Sequence, residues 1–402
     1  MQRYTVIIPT RDRAETLEAT LRTCLRQAYE NFEIIVSDNC SSDNTKEIVE
    51  RCNDPRVRYV NPGRRLSMSG NFEFALGHVV DGFVMFIGSD DGIMPDAIEY
   101  VDSIVRQHGV EAVSCRQATY VWPEFPDAEI AGRLVFGGQR EDVEIRRSRE
   151  WIKRTLSFEA FYCLELPNLY CGFVHKRVID KARRDGTYFH SITPDAYSAF
   201  ATAIFVETYA FSHRPFSIAG ASPKSNGASS MHPAGSGHEV SKFVAENDIE
   251  LSKGFVMCPG YEVATGEAFA SLAEVFPDLC SPYEIDYAAM LGDALKGTNP
   301  KTEQEVRSAV AIMAANFGVD LVNGLRASQE IWPRRWLGWF RALANLARRS
   351  RMVALPKSRD YGVKNVDDAA LVAHVLDRCS RDAGYITNRG LLRRGMKRLA
   401  GY

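Results

Sequence analysis

Short apolar runs alternate with amphipathic segments through the first 115 residues. Residues 4–8 form a continuous β-branched run closed by Pro9, the pattern of a buried strand. Over residues 14–28 the apolar positions Leu17, Leu21, Cys24, Leu25 and Ala28 recur at helical spacing. The same reading predicts strands over residues 33–37, 57–60, 83–87 and 112–115. It predicts helices over about residues 43–52, 70–80 and 95–108, the last with Pro95 suited to its first turn. A β-α-β-α order of this kind builds a mainly parallel sheet with helices on both faces, so the expected fold class is α/β. Ligands bind such sheets beyond the carboxyl ends of the strands. The residues just after Ile8, Val36 and Ile87 are therefore the ones to read for chemistry.

Further along, the pattern weakens over residues 122–138 into a loop bearing Pro and Gly. A second patterned region spans residues 151–218, with a strand near 169–175 and an apolar helix over 198–207. Residues 219–237 are dense in Gly, Ser, Pro and Asn, which reads as a loop and a domain boundary. Beyond Glu239 the chain is mostly helical in character. We expect one domain over 1–235, divided into halves 1–115 and 116–235, and a mostly helical C-terminal region over 236–402.

Composition narrows the classes of function. The net charge of −2 gives no basic excess to attract phosphates, so whole-chain binding of nucleic acid is not expected. That average hides an asymmetry: residues 331–402 carry 16 Lys or Arg against 5 Asp, which leaves −13 for the rest. Nine scattered cysteines without a CxxC pair fit reduced thiols in a cytoplasmic protein. The opening MQRYTVIIPT reads as a strand rather than a signal peptide, because Arg11-Asp12-Arg13 arrive too soon. No apolar run approaches the roughly 20 residues that span a bilayer.

Three acidic positions fall at predicted strand ends: Asp38 after the second strand, and Asp90 and Asp91 after the fourth. Adjacent carboxylates on one turn repel unless a cation lies between them, and hard oxygen ligands suit Mg2+ or Mn2+. Each also has a plainer role open to it, Asp91 as a helix cap and Asp38 as part of a turn.

The run VIIPTRDRAETLEATLRTCLRQAYENFEIIVSDNCSSDNTKEIV resembles the opening of the family 2 inverting glycosyltransferases of the GT-A fold. The resemblance continues through Asn71 in SGNFEFAL and through FVMFIGSDDGIMPDAI, which is similar to that family's metal-binding stretch. It implies a nucleotide-sugar donor bound by Pro9, Thr10, Arg11, Asp38, Asn71, Ser89 and Asp90, with UDP the expected nucleotide. Asp91 would be the direct ligand of Mn2+ or Mg2+. Gly88 stands where the commoner Asp-x-Asp pattern has its first Asp. The implied acceptor is a glycan or lipid-linked hydroxyl, as in bacterial surface polysaccharide synthesis.

The same resemblance places the general base on an Asp or Glu at a helix start, and Pro194-Asp195 precedes the apolar helix of the acceptor half. Asp195 is thus the expected base, with Glu207 as its competitor, and a first-turn charge on the helix dipole as the structural alternative. His213 is carried as a further metal ligand, with His232 and His238 weaker. The loop SPKSNGASS, with Lys224, is suited to closing over a diphosphate or to acting as a linker. Trp332, Trp336, Trp339 and Phe340 recur beside Arg334, Arg335 and Arg341, and residues 390–402 repeat the basic pattern. That segment fits peripheral contact with an anionic bilayer, or a packing or homo-oligomer surface. A sugar-phosphate nucleotidyltransferase is the rival enzyme, disfavoured because no Gly-rich loop follows the first strand. A catalytically silent nucleotide-sugar-binding domain is the rival from another class.

Overall fold

The computed structural model describes residues 1–137, 142–225, 245–298, 300–321, 352–355 and 358–382. Its first half is built as the apolar pattern predicts. Strands β1 (Tyr4–Thr10), β2 (Phe32–Asp38), β3 (Val57–Val60) and β4 (Phe83–Phe86) alternate with helices α1 (Ala14–Leu25), α2 (Thr45–Arg51) and α3 (Met68–Leu76). The short β5 (Gly92–Ile93), then α4 (Ala97–His108) and β6 (Ala112–Cys115), complete this half. Strand β1 pairs in parallel with β2 and β4, and β2 with β3.

The chain continues through β7 (Ala118–Val121), β8 (Leu134–Gly137), β9 (Val143–Arg147), α5 (Ser148–Leu156), β10 (Phe173–His175) and α6 (Lys176–Lys181). Helix α7 (Pro194–Phe205), β11 (Thr208–Ser212) and β12 (Ser217–Ala221) follow. The main sheet has the order β3-β2-β1-β4-β10-β6-β11-β9, with β10 antiparallel to both its neighbours. Strand β8 falls within the stretch the sequence pattern gives as loop; four residues between Pro- and Gly-bearing turns are too few to show an alternation. The predicted strand over 169–175 is shorter than expected, because Cys171 takes a left-handed backbone (φ 62°) and interrupts it.

Burial on both faces explains why the central strands are continuous apolar runs. Val6 and Ile8, Ile34 and Val36, and Phe83 and Met85 point into one core, shared with Leu17 and Leu21 of α1 and Ile98 and Val101 of α4. Ile7, Ile35, Val84 and Phe86 alternate into the opposite core, against Phe72 of α3 and Ala199 and Phe200 of α7. The period of two thus feeds both layers of helices from one sheet.

After residue 245 come α8 (Tyr261–Val275), α9 (Pro277–Cys280), α10 (Tyr287–Lys296) and α11 (Glu303–Phe317). Helix α8 packs on α7, while α10 and α11 bury Met290, Leu291, Val310 and Met313 in a third cluster. The helical character expected beyond Glu239 holds over these segments. Strand β13 (Met352–Leu355), a 3-10 turn (Ser358–Tyr361) and α12 (Val366–Asp382) end the described chain. These last elements return to the N-terminal half. Strand β13 joins a second sheet of order β13-β8-β7-β12-β5, and α12 packs on α1.

Ion pairs fasten α12 in place. Arg26 makes a two-pronged pair with Asp367 at 2.6 and 2.8 Å. Buried Arg214 bridges Asp96 (2.6 Å) and Asp377 (3.1 Å), and His374 reaches Asp96 at 3.3 Å. Removing one partner of a buried pair leaves uncompensated charge, at a cost of about 3–5 kcal/mol. Arg214→Met should destabilise the chain by that order in a urea titration, a loss of under 1 kcal/mol counting against the clamp.

All nine cysteines are free thiols. No helix among the described residues is long and apolar enough to cross a membrane. The basic aromatic segment around Trp332–Phe340, residues 390–402, His232 and His238 lie outside the described residues.

Candidate active site

Beyond the carboxyl ends of β1 and β4 opens a cavity of about 750 Å³. Pro9, Thr10, Arg11, Asn71, Asp90 and Asp91 line it on one side, and Asp195 and Tyr162 on the other. Residues 71 to 186 positions apart in the sequence therefore share one space because one sheet edge collects them, as the strand-end rule requires.

The turn from Gly88 to Asp91 closes on a hydrogen bond from Asp91 N to Gly88 O (3.1 Å) and buries both carboxylates, Asp90 at 3% and Asp91 at 2% exposure. Its backbone is held from three directions. Thr20 Oγ1 of α1 lies 2.9 Å from Ser89 O and 2.7 Å from Asp91 O, and Trp122 Nε1 donates to Asp90 O at 2.9 Å. Strand β12 presses closest: a Cβ on Gly220 would fall 1.8 Å from Asp90 O, so only glycine fits there.

Asp91 accepts hydrogen bonds on both oxygens, from Gly220 N on Oδ1 (2.7 Å) and from Gly88 N (2.7 Å) and Tyr170 OH (2.5 Å) on Oδ2. Burial and the charge of Asp90 push its carboxyl up to about 6, against these three bonds, which favour the ionised form. Asp90 Oδ2 accepts from Ser222 Oγ (2.6 Å) and from Ser225 Oγ. Arg13 Nη1 stands 3.8 Å from Asp90 Oδ1, too far for a strong hydrogen bond. Thr10 Oγ1 and Ser89 Oγ are buried with no hydrogen-bond partner among the described residues. Two buried neighbouring carboxylates on a turn that lines the cavity fit a hard divalent cation.

Asp38 and Ser89 are not among the residues lining the cavity. Asp38 orders the turn after β2, accepting from Tyr59 OH (2.6 Å) and Ser41 N (2.9 Å), while its neighbour Asn39 reaches the cavity. Asn71 lines the cavity and is tied to Ser37, whose Oγ donates to Asn71 Oδ1 at 2.9 Å. Arg11 is ion-paired with Glu246, from the segment that enters α8.

Helix α7 starts with Pro194 at its first position, which suits a missing N–H, and Asp195 follows in the first turn. Tyr162 OH donates to Asp195 Oδ2 at 2.7 Å. Shielding from solvent raises the Asp195 carboxyl above its ordinary value, which this hydrogen bond partly offsets. Tyr162 itself holds a left-handed backbone (φ 48°), a conformation that non-glycine residues adopt at a cost. Glu207 is exposed and outside the cavity lining, its carbonyl accepting from Ser148 N at 2.9 Å.

His213 is not brought to the Asp90-Asp91 turn. It follows β11 beside the edge strand β9, where its Nε2 lies 3.1 Å from Glu144, and it does not line the cavity. Asp142, Glu144 and His213 do form a small cluster of their own, with ligand atoms within 4.8 Å of one another. Sequence reasoning passed over Tyr162, Tyr170 and Arg13. The two tyrosines carry no motif, and an aromatic in an apolar run reads as core. Ser222 and Ser225 were visible only as members of a polar loop.

This geometry defines an α/β strand-end site in which an acidic turn faces a second carboxylate. The profile of Glycosyl transferase family 2 matches residues 5–161. The chain is 34% identical over 101 residues to the GalNAc(5)-diNAcBac-PP-undecaprenol beta-1,3-glucosyltransferase of Campylobacter jejuni, covering 24% of this chain and 33% of that protein. It is 28% identical over 105 residues to the UDP-Glc:alpha-D-GlcNAc-diphosphoundecaprenol beta-1,3-glucosyltransferase WfgD of Escherichia coli, covering 26% of this chain and 42% of the relative. The chain thus spans a third to two-fifths of these relatives' length. The structure of S. aureus TarS 1-349 with UDP-GlcNAc aligns over 78% of this chain and 89% of that one, with TM-score 0.44 and 14% identity.

Proposed function

We propose that the chain is an inverting glycosyltransferase that moves a sugar from a nucleoside-diphosphate sugar, UDP the favoured nucleotide, to a hydroxyl of a glycan or lipid-linked acceptor. One observation carries this reading: the acidic turn Asp90-Asp91 and the helix-start carboxylate Asp195 line the same cavity. On this reading residues 1–115 supply the donor half and 116–235 the acceptor half, with α8 closing the far wall. The silent-domain alternative loses ground because Asp195 shares the cavity rather than lying remote from it. The nucleotidyltransferase alternative lacks a Gly-rich loop after β1, where Pro9-Thr10-Arg11 stand.

Asp195 takes the proton of the acceptor hydroxyl as its oxygen attacks the anomeric carbon. The new carbon–oxygen bond forms opposite the departing diphosphate oxygen, whose bond to that carbon breaks, so the anomeric configuration inverts. Tyr162 orients the Asp195 carboxylate toward the cavity, and Asn71, Thr10 and Arg11 hold the nucleotide. A divalent cation, Mn2+ or Mg2+, bound by Asp91 with Asp90 beside it, would offset the charge of the diphosphate. Exposed Phe161 and Leu164, with Leu251, Val256 and Met257, give the acceptor side an apolar rim. That rim suits a lipid-linked acceptor of the kind named for the two bacterial relatives, and with it a peripheral place at the inner face of the plasma membrane.

A thermal-shift screen of nucleotide sugars with and without Mn2+ tests the donor reading. A ligand at 100 times its Kd stabilises the folded state by about 2.7 kcal/mol. One sugar nucleotide should raise the melting temperature by several degrees, with Mn2+ enlarging the shift. No shift from any UDP, GDP or TDP sugar would count against the proposal.

A further inference from the structure

Gly88 opens the acidic turn, and the space its side chain would need is already filled. A Cβ built at residue 88 would meet Tyr170 OH at 2.8 Å, Asp90 Oδ1 at 2.9 Å and Asp91 Oδ2 at 3.0 Å. Tyr170 arrives there through its backbone. Its residue makes a parallel bridge to Phe86, two positions before Gly88, with Phe86 N donating to Leu169 O (2.8 Å) and Cys171 N to Phe86 O (2.7 Å). Asn168 fixes it from behind: Asn168 Oδ1 accepts from Tyr170 N at 2.8 Å and from Ser198 Oγ of α7 at 2.9 Å. The hydroxyl so delivered donates to Asp91 Oδ2 at 2.5 Å, the oxygen that Gly88 N also serves.

We infer that Tyr170 is a positioning residue for the acidic turn, its hydroxyl standing in the space of the absent side chain at residue 88 and fixing the Asp91 carboxylate for the cation. The turn is thereby completed from a remote segment rather than from within its own sequence. Through Asn168 and Ser198 the same tyrosine ties the donor carboxylate to the helix that bears Asp195. This inference rests on Asp91 as the ligand of a divalent cation. Groups that orient a metal ligand from behind typically set affinity by about 10–100-fold.

The test uses the full chain and reads binding rather than turnover. Mn2+ is titrated calorimetrically in the presence of whichever of UDP, GDP or TDP binds best, and thermal melting is recorded beside it. Tyr170→Phe keeps the ring and removes the hydroxyl, and should raise the Mn2+ half-saturation about tenfold or more. Gly88→Ala, with the tyrosine intact, should raise it as well by displacing the hydroxyl. Lower melting with an unchanged Mn2+ half-saturation in Tyr170→Phe would make the hydroxyl merely structural and overturn the inference. If Tyr170→Phe does not fold, an unchanged half-saturation in Gly88→Ala overturns it instead. A wild-type chain that binds a nucleotide with no dependence on Mn2+ removes the cation reading, and the inference falls with it.

Discussion

Asp91→Asn should reduce nucleotide-sugar turnover roughly 10³-fold or more, because the charge that holds the cation beside the diphosphate is lost; such charge stabilisation is worth several kcal/mol. The substitution also disturbs the turn. Asp91 accepts three hydrogen bonds across its two oxygens, so an amide must set its NH2 against at least one N–H or O–H donor. Folding stability should fall by about 1–3 kcal/mol in consequence. Turnover at saturating donor, with Mn2+-dependent nucleotide binding and a melting curve on the same preparation, separates the two effects. Full turnover in the presence of a chelator would remove the cation from the account.

Asp195→Asn should cost about 10²–10⁴-fold in turnover while donor and cation bind as before, the range expected when a general base is removed. The side chain keeps its shape and can still accept from Tyr162, so the loss is one of basicity. Glu207→Gln, measured beside it, should be near native, because Glu207 lies on the surface. The pH profile carries an independent signature. Asp195 must be unprotonated to act, and burial raises its carboxyl, so activity should fall with decreasing pH at a value above the ordinary carboxylate range. Tyr162, Cys163 and Tyr261 face it with neutral groups. Tyr162→Phe removes a donor that favours the charged form, which should move that acid limb to higher pH. An unmoved limb would detach Tyr162 from the base.

Much of the first 115 residues was legible because the signals there are local. Fully buried parallel strands such as residues 4–8 must be apolar throughout, and a strand end bearing Asp90-Asp91 stands out against them. Asp195 was reached through the family resemblance, with Pro194 as the local mark of the helix start. The parts that were not legible depend on contacts between distant segments. Nothing in the residues around Tyr170 shows that its hydroxyl meets a turn 79 positions earlier. His213 read as a ligand by type, and the edge pairing of β11 with β9 sets it in a cluster with Asp142 and Glu144 that spacing alone does not show. The return of β13 and α12 to the N-terminal elements was hidden for a similar reason: their partners, β8 and α1, lie more than 200 residues away. Asp38 was placed correctly at its strand end, yet the Tyr59 hydroxyl that occupies it cannot be read from spacing.

Transfer itself is the most direct test of the central claim. The purified chain, with Mn2+ and the nucleotide sugar selected by thermal shift, is given an undecaprenyl-diphosphate-linked sugar as acceptor, and the product is isolated for proton NMR. The account predicts release of the nucleoside diphosphate together with one new glycosidic linkage, whose anomeric coupling constant is opposite in configuration to the donor's. Release of sugar 1-phosphate, retention of the donor's configuration, or a tightly bound donor left intact with every hydroxyl acceptor offered would contradict it.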